Sequence, residues 1–363
     1  MTMQVAVHAG QLLQPFPGGI GRYVTSLLRA LPGVEVSPVP FAAGPAPAST
    51  PGWDDLGWVD LGFPRGRWRY ELWHRLRRPP LPFGPEVEVV HATSLALPPP
   101  GRRPLVVTVH DLVFLDHPDC LTPRGVSFHR RGLEIARDEA AAFVVPSAWV
   151  ARRLKACGVE AARIHVAHHG VDLTPPSPHL DSAPSGPIDL PPSFILFVGT
   201  IEPRKGVGDL LAALDEARRE NPELHLVLAG PAGWGALPDL DAAHVHWLGS
   251  VEDATLDHLY RHALGLVLPS RDEGFGLPLI EAMARGCPVI SSDAACLPEI
   301  VGDAGEVVPL GDLEALAGAI GRLSDPVRRG VLVERGFSRA TDFTWHASAL
   351  SHLAAYRGAL ANR

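Results

Sequence analysis

The chain is poor in cysteine: four occur in 363 residues, at positions 120, 157, 287 and 296. Their spacing fits neither a zinc site nor a disulfide framework, and a reducing, cytoplasmic setting is expected. No stretch approaches the ~20 apolar residues of a membrane span. Residues 1–10 show no basic head followed by an apolar run, so a secretory signal is not expected. Positive charge is not in excess either. Lys and Arg total 32 against 40 Asp and Glu, a net charge of −8, which argues against nucleic acid as the main partner. No repeat of 20 to 50 residues stands out, which argues against a solenoid or propeller.

What the chain has is length, apolar content and loop residues. At 363 residues and 46% hydrophobic it suits two domains with a core each. The 36 glycines and 37 prolines suit many strand-to-helix loops and a linker. The most informative stretch is 269–289. An apolar strand, 264–268, leads into a loop holding Glu273, Gly274 and Gly276. Pro278 opens a short helix, where its missing N–H costs nothing, and Gly286 is a natural end. Leu279, Ile280 and Met283 give that helix an apolar face, and 287–291 reads as the next strand. A Gly-rich loop entering a helix suits an anion, because free N–H groups and the helix dipole point at it. Glu273 precedes the helix and Glu281 is expected in its first turn. Ionised carboxylates only accept hydrogen bonds, so they suit sugar or ribose hydroxyls. Phosphate plus hydroxyls points to a sugar nucleotide.

The rest of the second half is a β/α series. Strand 194–198 runs into Gly199, then Arg204 and Lys205 stand before a helix with Val207, Leu210, Leu211 and Leu214 on one face. Cations there suit a departing nucleoside diphosphate, which gains negative charge in the transition state. Strands 224–228 and 245–248 and helices 252–262, 312–323 and 325–341 follow, with a terminal helix over 343–360. Asp239-Leu-Asp241 looks like a metal signature but lacks the preceding hydrophobic run, and it reads as chance. His258 with His262, and His244 with His246, read as faces of a helix and a strand, so no metal is expected.

The first half opens with strand 4–8, a Gly-rich loop over 15–21 that includes Gly19, and helix 22–31. The order is Rossmann-like, though the full Gly-x-Gly-x-x-Gly is absent. Residues 40–62 read as loop. Residues 65–78 are basic and aromatic within an acidic chain. They read either as a peripheral membrane contact or as a solvated helix with Trp68, Leu72 and Leu76 packed inward. Strands 87–91 and 105–109 follow, the second ending at His110-Asp111. Helices 124–141 and 148–156, the latter capped by Ser147, and strands 143–145 and 164–166 complete the half. Seven prolines in 173–193 mark a linker. The expected domains are thus 1–172 and 194–342, with 343–363 as a terminal helix.

Glu273-Gly-Phe-Gly-Leu-Pro followed by Glu281-Ala-Met-Ala-x-Gly-x-Pro-Val resembles the Glu-x7-Glu motif of the retaining glycosyltransferases of family 4. Val109-His-Asp-Leu112 resembles the mannosyltransferase-B branch of that family. The resemblance implies an α/β fold of the GT-B type, two Rossmann-like doubly wound domains facing across a cleft, with the terminal helix crossing back to the first. It implies a retaining hexosyltransferase that takes a nucleotide sugar and a saccharide or lipid-linked acceptor, as in polysaccharide biosynthesis. By the same token His110 matches the active-site histidine, and Arg204 and Lys205 stand where the family contacts the donor diphosphate. Ser250 and Val251 stand where it contacts the base, with Gly19, Gly199, Gly274, Phe275, Gly276 and Leu277 nearby. His169 replaces an Asn the family commonly carries. GDP-mannose is the expected donor, with UDP-glucose or another hexose donor as runner-up. A sugar-nucleotide epimerase and a non-catalytic nucleotide-sugar-binding protein are the competing readings. No cofactor is expected.

Overall fold

A computed structural model describes residues 2–47, 57–62, 64, 67–173, 190–233, 235 and 237–361. Most of the Pro-rich linker, 174–189, and residues 65 and 66 of the basic segment lie outside the described residues. In chain order the first elements are β1 (Met3–His8), α1 (Gly18–Ala30), β2 (Val36–Ala42), β3 (Val59–Asp60), α2 (Arg67–Leu76), β4 (Val89–Ala92) and β5 (Leu105–Thr108). Then come α3 (Val113–Asp116), α4 (Pro123–Glu139), β6 (Ala140–Val145), α5 (Ala148–Ala156) and β7 (Ile164–Val166). The series continues with β8 (Phe194–Val198), α6 (Val207–Ala217), β9 (His225–Ala229), β10 (Val245–Gly249), α7 (Asp253–His262) and β11 (Gly265–Leu268). It closes with α8 (Leu277–Met283), β12 (Val289–Ser292), α9 (Leu297–Val301), β13 (Glu306–Val308), α10 (Leu313–Arg322), α11 (Pro326–Ala340) and α12 (Trp345–Ala361).

The chain divides into two compact units, Met1–Gly170 with Trp345–Arg363, and Val171–Thr344. Each holds one parallel sheet. The first runs β3-β2-β1-β4-β5-β6-β7 and the second β10-β9-β8-β11-β12-β13. In both, the first strand of the unit lies centrally and the order reverses beside it. The switch points are therefore β1/β4 and β8/β11, and crevices outside the carboxyl ends of such strands are where ligands bind in open α/β sheets. Helices cover both faces, so central strands such as Phe194-Ile195-Leu196-Phe197 are buried and read as unbroken apolar runs.

β2 is a strand where loop was expected from residue 40, and it carries Pro38 and Pro40. Phe41 accepts from the Ala9 amide of the β1 side, whereas Ala42 accepts from Leu61 on the other. By alternation Pro38 and Pro40 face away from β1, and β3 pairs only with Phe41 and Ala42. The missing N–H groups thus fall where no partner strand runs. The glycine loop is also shorter than expected, because α1 already begins at Gly18.

α2 is helical, but its inward face differs from the expected one. Trp68 and Leu76 are 63% and 61% exposed, while Trp73, Arg69 and His74 are buried. Two of the segment's arginines, Arg69 and Arg77, are engaged internally. Arg69 donates to the carbonyls of Pro64, Leu61 and Gly62. Arg77 donates to those of Trp73, Leu97 and Pro98 and pairs with Glu139. Among the described residues no helix is long and apolar enough to cross a membrane.

Candidate active site

In the second unit the β8/β11 switch point gathers charge. The loop after β8 makes one 3-10 turn, Pro203–Lys205, and Gly206 at φ 69° starts α6. A Cβ at Gly206 would collide with the Pro269 carbonyl oxygen, so only glycine lets this loop lie against the one after β11. The Arg271 amide donates to the Arg204 carbonyl at 2.7 Å and fastens the two loops together. Glu273 is 6% exposed. Its Oε1 lies 2.5 Å from Lys205 Nζ and accepts from Ser270 Oγ at 2.8 Å. Arg204 Nη1 reaches Glu273 Oε2 at 3.4 Å and the Asp272 carbonyl at 2.9 Å, while its Nε pairs with Glu202 at 2.5 Å. Burial alone would raise the Glu273 carboxyl, yet Lys205 and Arg204 outweigh it and hold the group at about 2. The chain has two lysines, Lys155 and Lys205, and uses arginine elsewhere. A compact point charge is thus placed where the chain's habit is a broad guanidinium.

Gly276, at φ 89°, sets the entry to α8, and Leu277 is that helix's first residue. α8 ends at Met283, a turn short of Gly286, and Glu281 stands in its second turn rather than its first. Glu281 is 6% exposed, and its Oε2 accepts from Tyr260 of α7 at 3.0 Å. Phe275 packs edge-on against Phe343, ring centres 5.7 Å apart. Gly199 ends β8 at φ 146° beside Lys205, and buried Gly274 completes the loop. Ser250 and Val251 follow β10, at the sheet edge two strands out from β8. Asp241 N–H donates to Asp239, so the Asp-x-Asp is a turn. His246 pairs with His225 at 2.9 Å, and the His258 and His262 rings lie 3.9 Å apart. No group of three or more His, Cys, Asp or Glu among the described residues is placed to hold a metal.

His110 belongs to the first unit, just beyond β5. Its Nε2 lies 2.9 Å from the Thr93 carbonyl, which can only accept, so Nε2 donates. Burial lowers its pKa against the opposing pull of that bond and of Asp111, and a neutral ring keeps Nδ1 as an acceptor. Tyr23 of α1 meets the ring edge-on at 4.9 Å. Behind Tyr23 runs a relay whose direction is fixed from one end. The Ser348 carbonyl must accept from His352 Nδ1, at 2.7 Å, so His352 Nε2 accepts from the Tyr23 hydroxyl at 2.8 Å. Tyr23 then accepts from Thr108, and Thr108 from His91 Nε2, both at 2.8 Å. His91 Nδ1 is left to accept from Tyr356 at 2.9 Å. Burial lowers the pKa of both histidines and keeps them neutral, as this chain of donors requires. α12 is thereby tied to β4, β5 and α1. His169 is buried against Tyr23 and Trp345, ring centres 4.7 and 6.1 Å away. Gly19 is exposed in the first turn of α1.

The model for Glycosyltransferase Family 4 matches residues 17–175, and that for Glycosyl transferases group 1 matches 192–325. Each match falls mainly in one unit, the first in Met1–Gly170 and the second in Val171–Thr344. The chain belongs to the group 1, family 4 glycosyltransferases. The O-antigen chain mannosyltransferase B of Escherichia coli is 38% identical over 176 residues, 45% of each chain. The MMP alpha-(1->4)-mannosyltransferase of Mycolicibacterium hassiacum is 31% identical over 279 residues, 71% of this chain and 66% of its own. This family 4 chain spans about half the length of the first curated relatives it matches. Among solved structures, the sucrose-phosphate synthase of Thermosynechococcus elongatus superposes with a TM-score of 0.72 at 22% identity, covering 98% of both chains. The fold is GT-B, with a Rossmann-like sheet in each unit.

For this glycosyltransferase family member, Arg204, Lys205 and Glu273 form one bonded cluster, with Gly199, Gly274, Phe275, Gly276 and Leu277 on the same two loops or at the start of α8. The sequence pattern supplied each charge but not the pairing. Tyr260, Ser270, Tyr23, His91, His352 and Tyr356 escaped it altogether. One signal was available: the chain has only four tyrosines, and three of them serve these two clusters.

Proposed function

We propose that this chain transfers a hexose from a nucleotide sugar to a hydroxyl of a saccharide or lipid-linked acceptor, with retention, and that the donor is GDP-mannose. The observation that carries the reading is the Lys205–Glu273–Arg204 cluster at the β8/β11 switch point, where Lys205 and Arg204 flank Glu273 and Arg204 also pairs with Glu202. A diphosphate binding there meets cations already fixed in place, which favours the charge that grows as the sugar–phosphate bond breaks. The mannosyltransferase names of the relatives favour the mannose donor.

In this mechanism the anomeric carbon–oxygen bond to the diphosphate breaks and the acceptor oxygen bonds to that carbon on the same face. The acceptor proton passes to the departing phosphate oxygen. Lys205 and Arg204 stabilise that leaving group. Glu273 aligns the two cations and accepts from sugar hydroxyls, and Glu281 holds the ribose. A glycosidase-like route needs a carboxylate nucleophile against the anomeric carbon; Glu273, committed to Lys205 and Arg204, is assigned instead to orientation. With two cations on the diphosphate, transfer needs no divalent metal. The test is turnover of radiolabelled GDP-mannose and UDP-glucose, each with and without a mannose-containing oligosaccharide and with and without EDTA. Oligosaccharide-dependent label transfer from GDP-mannose that survives EDTA supports the reading. Isomerisation alone, binding alone, or restoration by Mg²⁺ overturns the corresponding part.

A further inference from the structure

The loop that carries Glu273 is held at four consecutive residues, and from two sides. On the β8 side Arg204 takes the middle pair. Its carbonyl accepts from the Arg271 amide at 2.7 Å, and its Nη1 donates to the Asp272 carbonyl at 2.9 Å. On the β12 side two buried side chains take the ends. Ser292, the last residue of β12, donates from Oγ to the Ser270 carbonyl at 2.5 Å. Cys296, just before α9, donates from Sγ to the Glu273 carbonyl at 3.1 Å. Ser270 closes the arrangement, since its own Oγ donates to Glu273 Oε1 at 2.8 Å. Ser270, Ser292 and Cys296 are 0%, 1% and 0% exposed, so they act through Glu273 rather than on a ligand. The turn from Ser292 to Cys296 runs through Ala295 at φ 53°, a left-handed conformation that ordinarily falls to glycine. Such strain persists only where the surroundings fix it, and here it adjoins the thiol that meets the Glu273 carbonyl.

We propose that Ser270, Ser292 and Cys296 are positioning residues for sugar transfer, fixing the Glu273 carboxylate so that it aims Lys205. The inference rests on the transferase reading for the reaction, while the geometry stands by itself. Glu273 Oε1 serves Lys205 Nζ and Ser270 Oγ at once, so the hydroxyl fixes the face that the carboxylate turns to the lysine. Ser292 and Cys296 fix the backbone at either end of the loop. With both ends held, the carboxylate does not follow the ammonium when a diphosphate draws on it. The cation is then aimed before the sugar–phosphate bond breaks rather than during it, as preorganised stabilisation requires. The thiol suits this task. Burial, reinforced by Glu273, Glu299 and Asp272, holds its pKa well above the ordinary value, so the S–H it donates is retained. Burial also pushes the Glu273 carboxyl up, and Lys205, Arg204 and the Ser270 hydroxyl together bring it to about 2.

The test uses the chain's two lysines: isotope-labelled lysine gives two Nζ signals in nuclear magnetic resonance, and Lys155→Arg assigns them. The Lys205 signal reads its pairing with Glu273 without substrate. Ser270→Ala, Ser292→Ala and Cys296→Ala should each shift it. Cys296→Ser, which keeps a donor in nearly the same volume, should return it close to the wild-type position. In GDP-mannose transfer assays, referred to folded protein, each alanine variant should lower kcat about tenfold, the loss of roughly one hydrogen bond, while KM changes by no more than about twofold. Cys296→Ser should keep kcat within about twofold of the wild type, which separates a lost donor from lost packing even if Cys296→Ala folds poorly. A Lys205 signal that stays in place in the alanine variants, a signal that moves without loss of kcat, or a Cys296→Ser as slow as Cys296→Ala overturns the positioning role. Signals that move as expected in a wild type that transfers no sugar keep the hold on Lys205 and overturn the transferase reading.

Discussion

The two units wind their sheets in the same sense and fill their switch points with opposite chemistry. At β8/β11 the loops bring together a lysine, two arginine contacts and a carboxylate held at about 2. At β1/β4 they bring together a histidine held near 4, a phenol and two more aromatic rings. Topology explains where each cluster lies and says nothing of what it does. The side chains at the strand ends decide that, and fixed charge suits a diphosphate. The second half of the comparison also explains the terminal helix. α12 places His352 and Tyr356 into the relay behind Tyr23 and so belongs to the first unit.

The largest expected effect comes from removing the charge that distinguishes the second unit. Lys205→Ala should lower kcat on the order of 10²–10³-fold, the cost of losing one preorganised charge-assisted contact. Steady-state transfer assays check it, and a loss under fivefold would erase the contrast between the two switch points. A second effect is on stability in acid. The Glu273 carboxyl titrates near 2 when folded against an ordinary value of 4.5. Its contribution is therefore complete above 4.5 and is lost as the pH falls toward 2. It amounts to about 3 kcal/mol, because each tenfold change in proton affinity between the folded and unfolded chain is worth about 1.4 kcal/mol. Melting temperatures from pH 6 to 2.5 should fall more steeply for the wild type than for Glu273→Gln, and parallel curves would contradict the assignment.

Smaller effects sharpen the edges of each unit. Arg77→Glu should destabilise the first unit by about 2 kcal/mol, because it strips three carbonyls of their donor and sets an anion beside Glu139. Arg75→Glu, on an arginine 78% exposed, should stay within about 0.5 kcal/mol. Chemical denaturation separates the two, and equal effects would mean that the basic segment acts as one patch. A modest change in donor binding is expected from Tyr260→Phe, which removes the hydroxyl that holds Glu281. It should weaken GDP-mannose binding about fivefold, near 1 kcal/mol, with little change in turnover of the bound donor.

Much of the fold is legible in the sequence because buried parallel strands are unbroken apolar runs bounded by glycine. Residues 194–198 match to the residue for that reason and 148–156 from a capping serine, and 164–166 match as well although that edge strand carries a histidine and is half exposed. β2 escapes such a reading because two prolines look like a loop until the edge they face is known. α2 faces differently from its apolar pattern because an arginine and a histidine meet buried carbonyls where Trp68 and Leu76 were expected to pack. The charged site is half legible. The motif points to Glu273 and the loop to Lys205, but their bond spans 68 positions. The neutral relay joins residues 265 and 329 positions apart, and no local spacing announces such a pairing.

The contrast between the two switch points is tested most directly by one calorimetric series: GDP-mannose titrated into the wild type, Lys205→Ala and His8→Phe. The account predicts that Lys205→Ala weakens the donor dissociation constant tenfold or more, while His8→Phe leaves it unchanged. Donor binding that survives Lys205→Ala intact, or that collapses in a folded His8→Phe, would contradict the assignment of the diphosphate to the β8/β11 cluster.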